Sequence, residues 1–280
     1  MKVVFGPVHS WRLGRTLCVD IVPSSRKRCS LDCVYCPGDG RTHRVTRRAW
    51  FVGMSALQAL LESHTREAEY EGQYEAGYEA DYVAFTGRGE PTLASNLGQA
   101  IDLTRSLLYL PVAVFTNSSL MPRDDVKRDL AKADMVVAKL DAPDEGLFRA
   151  INRPFVKYSL AEIVDALREF RRNFQGKFVI QTTVVDANRA SVYEVAAIAH
   201  DLSPDEIQLN LRLPGWTACT MATELEKIRS SFPDLNVTIS DTGDPLWERV
   251  VDWERVADVV QLQRSGRHNA EVMLMAAEAE

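Results

Sequence analysis

Apolar positions along this chain switch repeatedly between a two-residue and a helical rhythm. Residues 15–22 (Arg-Thr-Leu-Cys-Val-Asp-Ile-Val) alternate well enough for a strand, which Pro23 closes. Leu57, Leu60 and Leu61 fall at helical spacing behind Ser55, a good N-cap. From there strands and helices take turns. Strands are expected over 82–86, 111–116, 135–140, 178–185 and 206–210. Helices are expected over 96–108, 123–131, 144–151 and 191–202. A longer helix capped by Ser159 carries Leu160, Ile163, Val164, Leu167 and Phe170 on one side. Repeated β/α units imply a parallel sheet with right-handed crossovers. Six units are too few for a closed eightfold barrel, so the expected fold class is α/β, a partial (β/α)6 TIM-like barrel.

The flanks read differently. Residues 1–14 hold Gly6-Pro7 and Gly14 and read as a loop-rich lead-in. Tyr70, Tyr74, Tyr78 and Tyr82 recur every four residues in an acidic setting, an expected extension of the first helix. Beyond Gly215 a helix over 222–230, a strand over 237–240 and a helix over 247–262 form a short C-terminal α/β extension. The expected division is 1–215 for the barrel and 216–280 for an extension packed on it.

At 280 residues the chain can hold one large domain or two small ones. No apolar run approaches the ~18–20 residues of a membrane span. The first residues lack a signal peptide's apolar region. A cytoplasmic protein without a membrane partner is expected. Five cysteines, three of them clustered, fit a reducing compartment and a metal site better than a disulfide framework. Lysine and arginine number 33 against 39 acidic residues, a net charge of −6. That balance is a poor default for nucleic-acid binding, although a local basic patch could override it.

The clustered thiols are Cys29, Cys33 and Cys36, in a C-x3-C-x2-C frame. A short loop of this spacing can turn three thiolates toward one point, which suits a [4Fe–4S] cluster with its fourth iron left open. A structural zinc knuckle is the other reading. Zinc takes four closed ligands, and the nearest candidate fourth, His43, sits seven residues past Cys36. Directly after this loop come Arg41, Arg44, Arg47 and Arg48. They form either a solvated face or a site for an anionic substrate, which Arg can bind in bidentate fashion.

In parallel α/β folds, ligands sit at the carboxyl ends of strands. Thr86-Gly87-Arg88-Gly89-Glu90 follows the second strand: the glycines let backbone approach a ligand, and Glu90 can accept from an ammonium. Asn117 follows the third strand. Lys139 and Asp141 end the fourth, with Asn152-Arg153-Pro154 after the next short helix. Gln181 and Thr183 lie on the fifth, and Asn210 and Arg212 end the sixth. Such side chains can bind ribose hydroxyls or a carboxylate, or satisfy loop backbone. Cys18, inside a strand pattern, reads as a buried inert thiol. Cys219 has no neighbour that would depress its pKa.

With Tyr35 just before the last cysteine, the thiol motif resembles the signature of radical S-adenosylmethionine (radical SAM) enzymes. The flanks, Phe5-Gly-Pro-Val-His-Ser-Trp-Arg-Leu-Gly-Arg15 and Gly40-Arg-Thr42, resemble the branch of wyosine-base synthase-like iron–sulfur oxidoreductases. The resemblance covers about residues 3–215 in ordered patches. It implies the partial barrel, a [4Fe–4S] cluster held by Cys29, Cys33 and Cys36, and S-adenosyl-L-methionine as cofactor. It implies that Thr86, Gly87, Gly89 and Glu90 form the motif that holds the methionine amino group. It places Tyr35 near the adenine and Asp141 or Lys139 near the nucleoside, while Asn117, Asn210 and Arg212 stand beside them as candidate cofactor-binding residues, Arg212 for the methionine carboxylate. The implied activity is reductive cleavage of the cofactor to a 5′-deoxyadenosyl radical that abstracts hydrogen from a substrate, with flavodoxin or ferredoxin as electron donor. Wyosine-base synthases hold a second cluster on further cysteines, and Cys18 and Cys219 are too few to match. With the negative charge, this favours a small molecule or peptide over tRNA. The basic run at 41–48 argues for tRNA or a phosphorylated small molecule. A zinc-stabilised binding protein stands as the alternative of another class.

Overall fold

The computed structural model describes residues 2–10, 12–36, 42–70, 80–212 and 222–240. Strands β1 (Val4–Ser10) and β2 (Gly14–Val19) form an antiparallel hairpin. The short β3 (Arg28–Cys29) and β4 (His43–Arg44) pair in parallel as a separate ribbon. Then come α1 (Met54–Tyr70), β5 (Tyr82–Phe85), α2 (Leu97–Leu108), β6 (Val112–Thr116), α3 (Asp124–Leu130) and β7 (Met135–Lys139). They are followed by α4 (Glu145–Asn152), α5 (Leu160–Asn173), β8 (Lys177–Val184), α6 (Val192–Asp201), β9 (Glu206–Leu211), α7 (Ala222–Ser231) and β10 (Val237–Ser240). The main sheet runs β1-β2-β5-β6-β7-β8-β9-β10, with every pairing from β2 onward parallel. This is the partial TIM-like barrel that the alternating rhythm predicts.

The central strands β5 to β9 are buried on both faces, as a parallel sheet covered by crossovers requires. The outer face, with Val83, Phe85, Val114, Val136 and Ile180, packs against Leu57, Ile101, Leu130, Leu167 and Ala199 of the helices. The inner face carries Ala84, Ala113, Met135, Val137 and Val179, with Leu13 from the first hairpin. Ser159 caps α5 as expected, in a reciprocal arrangement with Glu162. Cys18 is buried, and burial pushes its thiol up to about 12.

The expected loop at 1–14 is instead an edge strand. A register shift between Phe5 and Val8 absorbs Gly6-Pro7, and Gly6 takes φ +110°, where a Cβ would stand 2.8 Å from the Thr16 carbonyl oxygen. Proline is tolerated at a sheet edge, where no neighbour needs its N–H. Strand β10 pairs with β9 in the same sheet, and α7 packs against α6. Most of the tyrosine repeat (71–79) and the expected helix at 247–262 lie outside the described residues. Among the described residues, no helix is long and apolar enough to cross a membrane.

Candidate active site

After β2 the chain turns across the carboxyl ends of the strands, and the cysteine loop is tied down on two sides. On one side the Glu90 N–H donates to Arg28 O at 3.0 Å, and the hydroxyls of Ser30 and Ser119 meet at 2.6 Å. On the other, the N–H groups of Asp32 and Val34 donate to Asn152 O (3.0 Å) and Ile151 O (2.9 Å), while Phe155 N–H donates to Ser30 O (2.9 Å). These bonds use the orphan carbonyls at the end of α4. The thiols also receive donors. Asn117 Nδ2 donates to Cys29 Sγ at 3.2 Å, and Asn152 Nδ2 to Cys33 Sγ at 3.4 Å. Lys27 bonds Cys36; burial alone would depress its ammonium, but the three cysteines hold it above its ordinary value. Burial pushes the Cys29 thiol up to about 12 and raises Cys33, with Lys27 acting against both.

Glu90 is buried at the end of the β5 loop. Thr92 N–H (3.1 Å), Thr92 Oγ1 (2.6 Å) and Thr116 Oγ1 (2.7 Å) donate to its Oε1, and Asn117 N–H (2.7 Å) to its Oε2. Burial raises its carboxyl, and these four donors act against the rise. Gly87 and Gly89 make room for the chain itself. A Cβ at Gly87 would lie 2.3 Å from Asp20 Cγ, and one at Gly89 2.9 Å from Arg28 O. Thr86 continues the sheet, its N–H donating to Val19 O at 3.1 Å.

Across the loop, Asp141 is a second buried carboxylate. Asn152 Nδ2 and Thr183 N–H each donate to it at 2.7 Å, and the Tyr35 hydroxyl also donates. The Lys139 ammonium lies 3.5 Å from Asp141 Oδ1, bonds Thr183 Oγ1, and sits 4.6 Å from the Tyr35 ring centroid. Asn188 Nδ2 locks the backbone beneath, donating to Asp141 O and Thr183 O. Tyr35 is thereby oriented beside Cys33, and burial followed by the charge of Asp141 raises its phenol well above the ordinary value.

Residues 25–197 match the Radical SAM superfamily. The chain belongs to that superfamily. A UPF0026 protein of Methanocaldococcus jannaschii is 32% identical over 213 residues, covering 75% of this chain and 63% of that protein. The chain thus spans just under two thirds of that relative. Native anSMEcpe with bound AdoMet matches over 80% of this chain and 63% of its own, with a TM-score of 0.58 and 16% identity. Archaeal TYW1 matches over 79% of this chain and 72% of its own, with a TM-score of 0.52 and 17% identity. At such identities the two structures speak to the fold alone.

Radical SAM membership implies a [4Fe–4S] cluster and S-adenosylmethionine. The donor set fits. Three thiols share one anchored loop, amide donors reach two of them, and Asn152 Oδ1 is buried beside Cys33 without a partner among the described residues. Among the described residues, no three His, Cys, Asp or Glu gather closely enough to hold a single metal ion. A cluster takes each thiolate on a different iron.

The described arginines of the basic run, Arg44, Arg47 and Arg48, have different surroundings. Arg48 is turned into the fold, its side chain 5% exposed. It pairs with Asp125 (3.0 Å) and Asp129 on α3 and donates to Thr92 O (2.8 Å) and Ala94 O (2.6 Å). It braces two segments and is withdrawn from any opening. Arg44, on β4, lies 4.5 Å from the Phe155 ring centroid, and Arg44 and Arg47 are exposed. Arg41 lies outside the described residues, as does Cys219.

Arg212 continues β9, its N–H donating to Val184 O at 2.9 Å. Burial depresses its guanidinium, while Cys36 and Tyr35 act the other way, so its charge lies near the thiol loop. Asn210 stands half-buried opposite Thr183. Lys27 carries no motif signal; its one clue is its place two residues before the first cysteine. Asn152 is marked only as a polar residue before Pro154. Its link to Cys33 depends on the bridge between Leu31 and Pro154.

Proposed function

We propose that the chain cleaves S-adenosylmethionine reductively at a cluster on Cys29, Cys33 and Cys36 and removes a hydrogen atom from a small-molecule or peptide substrate. One observation carries this reading: an anchored three-thiol loop lies directly against a buried carboxylate, Glu90, joined to it through Asn117. When bound, the cluster and S-adenosylmethionine together supply a 5′-deoxyadenosyl radical able to take hydrogen from carbon.

The chain's own residues bind, orient and shield. The three cysteines would ligate as thiolates. Asn117 and Asn152, donating to two of the sulfurs, would draw charge from them and tune the cluster's potential. Glu90 would accept from the methionine ammonium on Oε2, which carries one donor against three on Oε1. Arg212 would meet the methionine carboxylate. Tyr35, oriented by Asp141, would offer its ring beside the adenine. Thr86, Gly87 and Gly89 would form with Glu90 the segment that holds the methionine ammonium, the glycines by letting Asp20 and β3 close in, and Asn117, Lys139 and Asn210 would serve the rest of the cofactor site. A site at the mouth of a packed barrel keeps bulk water from a reactive species. The negative net charge disfavours a wyosine-type tRNA substrate. A flavodoxin or ferredoxin would serve as electron donor.

Anaerobic reconstitution tests the reading. The protein should turn brown, absorb broadly near ~400 nm and hold about four irons and four sulfides. The Cys29→Ala/Cys33→Ala/Cys36→Ala variant should hold none. Near-zero iron in the wild type, or unchanged iron in the triple variant, rejects it.

A further inference from the structure

The cations of the helices and those around the thiol loop are placed differently. On the helices, Arg105, Lys127, Lys132, Arg149, Arg168 and Arg171 each hold a carboxylate. Around the thiol loop, Arg26, Arg44, Arg47 and Arg153 are exposed, and no carboxylate of the described residues pairs with them. Asp32, inside the loop, is taken by the Thr42 hydroxyl. Residues 24–48 hold seven lysines and arginines against two aspartates, in a chain that totals 33 against 39. Of the seven, Arg48 is turned inward to α3. The thiol loop thus stands in a basic stretch of an acidic chain.

The fold gathers these charges about the ribbon of β3 and β4. Cys29 lies on β3 in register with Arg44 of β4, and its carbonyl accepts from Val45 N–H at 3.0 Å. Arg44 lies 4.5 Å from the Phe155 ring centroid, and Phe155 N–H donates to Ser30 O. The segment after α4, with Arg153, is thereby held against the same ribbon, where Leu31 bridges Pro154. Arg28, on β3, lies 5.4 Å from the Phe51 ring centroid. Two of the four large apolar side chains exposed among the described residues belong here. Val34, inside the thiol loop, is 45% exposed, and Trp50, next to Phe51 in the chain, is 60% exposed. Arginines around exposed apolar and aromatic side chains are the composition of a protein-binding surface.

We propose that the β3–β4 ribbon and the segment at 153–155 form the docking surface for an acidic electron-transfer protein. The proposal rests on the radical SAM reading, which calls for an electron from outside. The reduced donor, a flavodoxin or ferredoxin, gives one electron to the oxidised cluster and is itself oxidised by one; no bond forms or breaks in this step. An electron crosses protein only over short distances, so the donor's cofactor has to approach the thiol loop. Here the ligand loop carries the surface itself: Cys29 is a member of the ribbon, and Val34 lies between Cys33 and Cys36. Exposed arginines steer an acidic partner in by long-range attraction and fix its orientation. A weak, briefly held contact of small area is typical of redox partners. RNA is also drawn to arginines, but an extended polyanion would run on to the acidic remainder of the chain.

The test is the rate at which reduced flavodoxin and, separately, reduced ferredoxin reduce the anaerobically reconstituted protein, read from the EPR signal of the reduced cluster in rapidly frozen samples. Wild type should be reduced by at least one, with a rate that falls about ten-fold as ionic strength rises from about 0.05 to 0.3 M. Arg44→Glu/Arg47→Glu should lower the low-salt rate about ten-fold or more. Arg128→Glu/Arg172→Glu, an equal charge change at exposed arginines of α3 and α5, should alter it about two-fold at most. Reduced methyl viologen, a small cation, should reduce Arg44→Glu/Arg47→Glu at least as fast as wild type. Reduction of wild type by neither protein, or a donor rate unchanged in Arg44→Glu/Arg47→Glu, overturns the proposal. So does an equal slowing with methyl viologen, which would place the arginines' effect on the cluster. Loss of bulk tRNA binding in the variant at an unchanged donor rate assigns the face to nucleic acid instead. If the variant does not melt cooperatively, Arg44→Gln/Arg47→Gln decides: about a three-fold fall upholds the surface, and an unchanged rate overturns it. A wild type without iron rejects the radical SAM reading and the donor surface with it. An iron-loaded wild type whose donor rate ignores these charges rejects the surface alone.

Discussion

Two buried carboxylates stand at strand ends on either side of the thiol loop, and the fold treats them differently. Glu90 receives four donors, all hydroxyls or peptide N–H groups. Asp141 receives Tyr35, Asn152 and the Thr183 N–H, and also has the Lys139 ammonium 3.5 Å away. Each reaches a thiol through an asparagine, Asn117 to Cys29 and Asn152 to Cys33. The two devices match in geometry and differ in charge. Asp141 is met by the chain's own cation. The donors on Glu90 stabilise its charge without neutralising it, which leaves it suited to a cation brought by a ligand.

Removing the built-in cation is the harshest test of that difference. Lys139→Met leaves Asp141 charged and buried, and should cost about 3–5 kcal/mol in urea unfolding. A loss below ~1 kcal/mol would mean that Asp141 is held by neutral donors alone, as Glu90 is.

A third carboxylate calibrates the pair. Among the described residues, Asp20 accepts from the N–H groups of Val22 (3.0 Å) and Arg88 (3.3 Å), and burial pushes it up to about 6 from 3.8. Below pH ~4 it is protonated in both the folded and the unfolded chain. Between ~4 and 6 the unfolded chain loses the proton first, so stability falls as pH rises through that window. The fall should total about 3 kcal/mol and vanish in Asp20→Asn, read from melting curves at pH 4–7. A fall of equal size in Asp20→Asn would assign it to another group.

Glu90→Gln should weaken S-adenosylmethionine binding about ten-fold or more while leaving iron content alone, since a charge-assisted hydrogen bond contributes about 1.5–3 kcal/mol. Unchanged affinity by titration would reduce Glu90 to a brace between β5 and β6. The smallest effects belong to the asparagines. Asn117→Ala and Asn152→Ala should each keep the cluster but lower its potential and speed iron loss about ten-fold, measured by potentiometric EPR and iron release. A shift in only one of them would show that the two hubs do not act alike on the cluster.

The succession of strands, the Ser159 cap and the three thiols were legible because each depends on residues close together in the chain. Ser55, expected to cap the first helix, lies inside it, since α1 already begins at Met54. Apolar rhythm reports which face of an element is buried, and the C-x3-C-x2-C spacing lies within one loop. Strand β1 escaped because Gly6-Pro7 breaks the alternation, and only the pairing with β2 shows the bulge that absorbs it. Asp141 and Glu90 could be picked out as strand-end residues, but their contrast could not, since Thr116 reaches Glu90 from β6 and Thr183 of β8 fixes both Asp141 and Lys139 across the sheet.

The arginines mark the boundary most clearly. Chain position placed Arg48 beside the cysteine loop together with Arg44 and Arg47. In the fold, Arg48 is consumed by Asp129, 81 residues further on, while Arg44 and Arg47 stay exposed. A local pattern sets which element forms and which face it buries. A charged side chain's partner is chosen by distance in space, because Coulomb energy and desolvation depend on what is packed nearby and not on separation along the chain.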